Sequence, residues 1–199
     1  GPLQPIGIVA SQTRIEQTAG FMVVSPDYFP LFDIRVVRGR AFTALEADEG
    51  APVVLVSEAT ARTLWPGLDP IGQTLNLVPS SGRRANRRPA HTSVRVIGVT
   101  EDVVSGILMD GVDATCVYFA TGLDASGELS ILVRTRGDVS TARASVAAAV
   151  NAIEPDAPFQ AMSLSLLLGL MLLTGRVGIG GPIIAGVLLI GFGAAQFGR

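Results

Sequence analysis

Between Leu164 and Ala195 a single residue, Arg176, carries a charge. The run Val177–Ala195 is uncharged throughout. As a helix rising 1.5 Å per residue it would reach roughly 28 Å, close to the ~30 Å hydrocarbon core of a bilayer. The run is also dense in glycine, so a phosphate-cradling loop has to be weighed against a membrane helix. A dinucleotide fingerprint needs G-x-G-x-x-G after a strand. Counting from Gly178 and Gly180, its third position falls on Ile183; counting from Gly191 and Gly193, it falls on Gln196. A Walker loop needs a lysine, and all fifteen basic residues of this chain are arginine. The run therefore reads as one transmembrane helix over 177–195, where glycine and Pro182 are tolerated. Residues 163–176, apolar but too short to span, read as an interfacial helix leading into it.

The first 160 residues have an ordinary globular pattern. In a chain of 199 residues there is room for one domain with a real core or for two small subdomains. Charged residues make up 16% of the whole, below the roughly 25% usual for soluble domains, because the tail holds so few. A net charge of −2 gives no general attraction to nucleic acid. The absence of lysine also excludes Schiff-base chemistry. Cys116 is the only cysteine, so no internal disulfide forms; in "ATCVYFA" it reads as a small buried strand residue. The chain opens on Gly1 with neither an initiator methionine nor a signal peptide, and it reads as a fragment.

Apolar, β-branched "AGFMVVS" predicts a strand over 19–25. Ser25 then caps a short helix with Pro26 at its first position, and "IRVVRG" returns as a strand over 34–39. A second such unit lies at the other end: a strand in "LSILVRTR" (129–136), an alanine-rich helix, and a strand in "APFQAM". Ala142, Val146, Val150 and Ile153 recur along that helix at helical spacing, and Pro155 ends it. Two βαβ halves flanking an insertion predict an α+β fold with a ferredoxin-like split βαβ sheet. Within the insertion, "APVVLVS" is a nearly continuous apolar strand whose Ser57 caps the helix "EATARTLW". "PGLDPIG" has turn chemistry, and "QTLNLV" and "TSVRVIGVTED" alternate as half-exposed strands. Between those strands, "PSSGRRANRRPAH" reads as a hairpin loop.

That loop carries Arg83, Arg84, Arg87 and Arg88, a candidate contact for a partner protein or a lipid headgroup; a solvated loop is the plainer reading. No aromatic residues interleave for base stacking, which excludes nucleic acid. The single histidine, His91, has no serine in a G-x-S-x-G elbow to complete a triad. With one histidine and one cysteine, a metal site would have to be built of carboxylates alone. Glu46, Asp48 and Glu49 do bunch, but the first turn of a helix capped by Thr43 accounts for them. Glu101 and Asp102 are adjacent strand residues that face opposite ways. Trp65 reads as the plug of a small core. No catalytic, cofactor-binding or metal-binding set emerges.

The blocks "VVSPDYFPLFDIRVVRGRAFT" (23–43) and "APVVLVSEATARTLWPGLDPIGQTL" (51–75) are similar to the extracytoplasmic core domain of MacB/FtsX-type ABC transporter permeases. "VRVIGVTEDV", "VYFA", "LVRTRGDV" and "VNAIEPDAPFQAMSL" extend the resemblance, which covers most of residues 19–164. "LLTGRVG" resembles the segment such permeases place before their next membrane helix. The resemblance implies a core domain over 1–162, with a porter-type subdomain from 19–42 and 128–162 and an inserted sabre-type lobe over 43–127. It implies a non-catalytic part of a bacterial inner-membrane permease, folded on the extracytoplasmic side. A separate ABC-type ATPase would supply energy, a periplasmic adaptor would be a partner, and the full-length permease would dimerise. The alternative is a membrane-tethered scaffold that regulates an extracytoplasmic enzyme, as FtsX-like proteins do.

Overall fold

Apolar residues at every second position build most of the chain into strands, and the way these strands pair divides it in two. The computed structural model describes residues 4–78, 91–103, 115–121, 130–135, 138–153, 159–163 and 187–192. They belong to two compact units, Pro2–Asp124 and Ala125–Arg199.

The first unit runs β1 (Gln4–Ala10), β2 (Glu16–Val24), α1 (Tyr28–Leu31), β3 (Val36–Gly39), α2 (Ala44–Asp48), β4 (Val53–Ser57), α3 (Glu58–Leu64), β5 (Thr74–Val78), β6 (Ser93–Thr100) and β7 (Cys116–Ala120). Its seven strands form one sheet in the order β3-β6-β4-β7-β2-β1-β5. Strand β5 also pairs with β6, from Thr74↔Arg95 to Asn76↔Ser93. Six strands therefore close into a ring, with β3 a spur on the C-terminal half of β6.

Period-two patterning fills the ring. Ile6 and Ile8, Ala19 and Phe21, Val54 and Val56, Leu75 and Leu77, Val94 and Val96, and Val117 and Phe119 share one cluster with Ala61, Leu64 and Trp65 of the α3 segment. The intervening residues Leu55, Ile97, Cys116 and Tyr118 meet Phe29, Ile34 and Phe42 on the other face. Strand β4 is thus covered on both sides, which is why its sequence is continuously apolar rather than alternating.

Two local features differ from the sequence reading. The strand β1 has no counterpart in the sequence reading, because Pro5 and Gly7 interrupt its pattern, yet Ile6, Ile8 and Ala10 all point inward. The helix after β2 is one turn, with Asp27 rather than Ser25 at its N-cap and no side-chain cap bond. Asp33, in left-handed backbone at φ 56°, ends it, and the Ile34 N–H returns to the Phe29 carbonyl.

The second unit holds β8 (Ser130–Arg134), α4 (Val139–Ile153), β9 (Phe159–Ser163) and β10 (Val187–Phe192), with the sheet order β8-β10-β9. Because β10 is antiparallel to both neighbours, β8 and β9 run parallel to each other, and α4 connects them. This is a split βαβ with β10 in the gap. Asp138 starts the helix by accepting from the Thr141 amide at 2.8 Å and from the hydroxyls of Thr141 and Ser140. These bonds, the Ser140 hydroxyl first, hold its carboxyl down at about 2. Along α4, Ala142, Val146 and Val150 are half-buried, but Ile153 is 83% exposed, so the apolar stripe stops a turn early.

Two larger expectations are revised. The sequence reading places 19–42 in one sheet with 128–162 and makes 43–127 a separate lobe. In the structure β2 and β3 lie in the seven-stranded sheet with the strands of 43–121, and β8 lies in the other. The reason is edge occupancy: β2 pairs with β1 on one side and with β7 on the other, so it has no edge left for β8. The second concerns the expected transmembrane helix over 177–195. Its described residues, Val187–Phe192, form a strand. The whole run contains six glycines and Pro182; in a water-exposed helix each glycine costs about 1 kcal/mol and a proline about 3 relative to alanine. No helix among the described residues is long and apolar enough to cross a membrane. The interfacial helix expected over 163–176 lies outside the described residues, except for Ser163 at the end of β9.

Gly39 and Gly98 face each other across β3 and β6. A Cβ on Gly98 would lie 2.4 Å from the Arg40 carbonyl oxygen, a backbone atom that cannot swing aside. Gly98→Ala is expected to destabilise the first unit by about 1–3 kcal/mol, as overpacking does. Urea denaturation followed by the fluorescence of Trp65 measures it directly.

Candidate functional site

Helix α3 is placed by its own N-cap. The Ser57 hydroxyl accepts from the Thr60 amide at 3.3 Å, as the sequence reading expects of a cap. It also accepts from the Cys116 amide of β7 at 3.1 Å, and that amide reaches Thr60 Oγ1 at 3.0 Å. Thr60 Oγ1 in turn donates to the Cys116 carbonyl at 3.3 Å. Ser57, Thr60 and Cys116 are all fully buried, and Cys116 is the small strand residue expected. At the other end of the helix the Thr13 hydroxyl donates to the Leu64 carbonyl at 2.6 Å.

With α3 held at both ends, its last turn and the Pro66–Pro70 turn border a cavity of about 440 Å³. Arg38, Arg62, Leu68 and Asp69 line it, together with the edge of Trp65. Trp65 itself plugs the core at 1% exposure, while Leu68 remains 45% exposed. Arg38 pairs with Asp69 at 3.1 Å, and Arg62 with Asp102 at 2.6 Å. The wall contains no hydroxyl, thiol or imidazole. Each arginine is held by a carboxylate, Glu58 adds a further acidic group to the wall, and the arrangement offers apolar contact and compensated charge.

The other candidate residues are spread apart. Arg83, Arg84, Arg87 and Arg88 lie outside the described residues. His91, just after that loop, donates from Nε2 to the Gly50 carbonyl at 2.7 Å. Glu101 and Asp102 serve different partners. Glu101 takes the Arg35 amide at 2.9 Å and its guanidinium at 2.8 Å, which lowers its carboxyl below the usual range. Asp102 takes the Ala59 amide at the start of α3 and Arg62. Among the described residues no group of three or more histidine, cysteine or acidic side chains is placed to hold a metal.

Glu46, first noted for its acidic neighbours, has a structural task. The Thr43 hydroxyl accepts from the Glu46 amide while the Glu46 carboxylate accepts from the Thr43 amide, a capping box. The same carboxylate takes both terminal nitrogens of Arg40, at 2.6 and 2.7 Å. These bonds, the Arg40 pair foremost, lower its pKa from 4.5 to about 2. The sequence reading anticipates the cap; Arg40 is the partner it misses, because the six-residue spacing crosses a turn rather than a helix face.

The family of MacB-like periplasmic core domains matches residues 4–153. Among solved structures, the periplasmic region of MacB from Actinobacillus actinomycetemcomitans superposes with a TM-score of 0.54 at 15% identity, covering 76% of this chain and 64% of that one. The extracellular domain of the noncanonic ABC-type transporter YknZ from Gram-positive bacteria gives 0.44 at 16% identity, covering 60% of this chain and 51% of that one. This chain therefore aligns with half to two thirds of those domains. No curated protein sequence matches it. At such identities the likeness speaks for the fold alone.

Two measurements test the local framework. Ser57→Ala removes the cap of α3 and one of two acceptors for a buried amide, and should cost about 2 kcal/mol in urea denaturation. Glu46→Gln should lose about 1 kcal/mol at neutral pH, a figure already reduced for solvent screening at a partly exposed pair. Because folding lowers this pKa, the contribution is complete above the unfolded value and fades as pH falls from about 5 to about 2. The stability gap between Glu46→Gln and the parent should close over that window.

Proposed function

The chain belongs to the MacB-like periplasmic core domain family, and we propose that it serves as a non-catalytic extracytoplasmic part of an ABC transporter permease. The observation that carries this reading is the family match over residues 4–153, which spans the closed ring together with β8 and α4. In the proposed role a separate ABC-type ATPase hydrolyses nucleotide, and the permease passes its movement to this domain, which engages cargo or a periplasmic adaptor. The closed ring suits such a part: apolar side chains fill it, and the cavity beside α3 offers a contact surface. Arg83, Arg84, Arg87 and Arg88 are proposed as a contact to that partner or to lipid headgroups. Dimerisation of the full-length permease and residence on the outer side of the bacterial inner membrane belong to the same proposal.

Alkaline phosphatase fused after Ile153 in the intact gene product tests the location, since that reporter is active only outside the cytoplasm. High activity is expected, and an inactive, stable fusion overturns the placement. Division of labour is tested separately by titrating a fluorescent ATP analogue with magnesium. No saturable binding is expected below about millimolar concentration, because the chain has no lysine and no complete glycine fingerprint.

A further inference from the structure

Strand β3 stands outside the ring, and among the described residues no strand lies along its second edge. Val37, Arg38 and Gly39 are exposed. Arg38 also belongs to the wall of the cavity beside α3, with Ala61, Leu68, Val99 and the edge of Trp65. An open strand edge thus adjoins a largely apolar hollow. We infer that this place takes an extended segment of a partner protein, paired with β3 as a further strand. One apolar side chain of that segment enters the cavity, and a carboxylate two residues along meets Arg38. The inference rests on the contact role proposed above and gives that contact a chemistry.

Backbone and side chains divide the recognition between them. An edge strand presents N–H and C=O groups that any extended segment can pair with, while a pocket for alternate side chains selects among segments. Side chains of an added strand alternate between faces, so residues two apart share the cavity side. Charge then decides the occupant. Between Ile34 and Leu45 the chain holds Arg35, Arg38 and Arg40 and no acidic residue. A second copy laid along β3 would set these arginines against their own kind. The bulge between Val36 and Arg38 further works against indiscriminate pairing. Arg35 is tied to Glu101 through its amide and its guanidinium, and Arg40 to Glu46 through both terminal nitrogens. Arg38 has one contact with Asp69, at 3.1 Å, in which the side chains are 53% and 63% exposed. So exposed a pair contributes little, and Arg38 can exchange it for an incoming carboxylate. Asp69 is not stranded by the exchange, because its Oδ1 also accepts from the Ile71 amide at 3.1 Å.

A blocked pentapeptide, Thr-Leu-Thr-Glu-Thr, places leucine and glutamate on one face of a strand and serves as the probe. Titrated into the whole chain, it should change the fluorescence of Trp65, the only tryptophan, with saturation below about 1 mM. Amides within Val36–Gly39 should exchange several-fold more slowly when it is bound. Of two N-methylated forms, one blocked at leucine and glutamate and the other at the threonines, one should lose binding tenfold or more and the other should keep it. Arg38→Glu should weaken the glutamate peptide at least fivefold and prefer its lysine analogue, a reversal that a misfolded variant would not show. The inference is overturned if the parent does not bind, if both methylated forms bind like the unmodified one, or if Arg38→Glu still prefers glutamate. Protection of Val36–Gly39 that follows chain concentration instead of peptide would make a second copy the occupant and overturns it equally. None of these outcomes bears on where the phosphatase fusion is active, so the two readings fail separately.

Discussion

A ring of six short strands has to be filled, and here the filling depends on one hydroxyl. Ser57 ends β4, caps α3 and accepts from the backbone of β7, so the direction of the helix follows from the position of two strands. Leu64 and Trp65 enter the core only because the helix leaves β4 at that angle. Thr60 makes the arrangement self-consistent: it closes the same knot from within the first turn, so the amide of Cys116 has two acceptors and the carbonyl of Cys116 has a donor. A buried polar group costs about 1–3 kcal/mol if left unsatisfied, so a knot without these hydroxyls would work against the core it organises.

The ring also explains how the chain divides. A strand has two edges, and those of β2 are consumed by β1 and β7. Once β5 reaches β6, only the spur strand β3 remains outside the closed set within the first unit. The later strands β8, β9 and β10 pair among themselves. The split βαβ motif is consequently present, but its gap is filled from the tail rather than from residues 19–42.

What could be read from the sequence followed the range of the interaction behind each feature. The caps at Thr43 and Ser57, the doubly covered strand β4, the turn at Pro66–Gly72 and the plug at Trp65 are set within a few residues, and each is where its pattern placed it. Pairing is set between distant segments, and there the reading went astray. Pro5 and Gly7 hide the strand β1 from a pattern reading, and β1 takes one edge of β2. The surface around Arg38, Arg62, Leu68 and Asp69 was equally hidden, since it joins β3, α3 and a turn that share no local pattern. The arginine-rich stretch 83–88, by contrast, is conspicuous in sequence because composition alone reveals it.

The tail shows why hydropathy could not choose between strand and membrane helix. A hydropathy count measures how strongly side chains leave water, and a sheet interior and a bilayer both accept them. The two destinations differ in what they ask of the backbone. A bilayer requires a segment to close its own hydrogen bonds, whereas a sheet supplies partners from neighbouring strands. Six glycines and a proline weaken the helix in water without making the segment less apolar. Side-chain composition therefore leaves both destinations open, and in the structure the backbone of Val187–Phe192 finds its partners in β8 and β9.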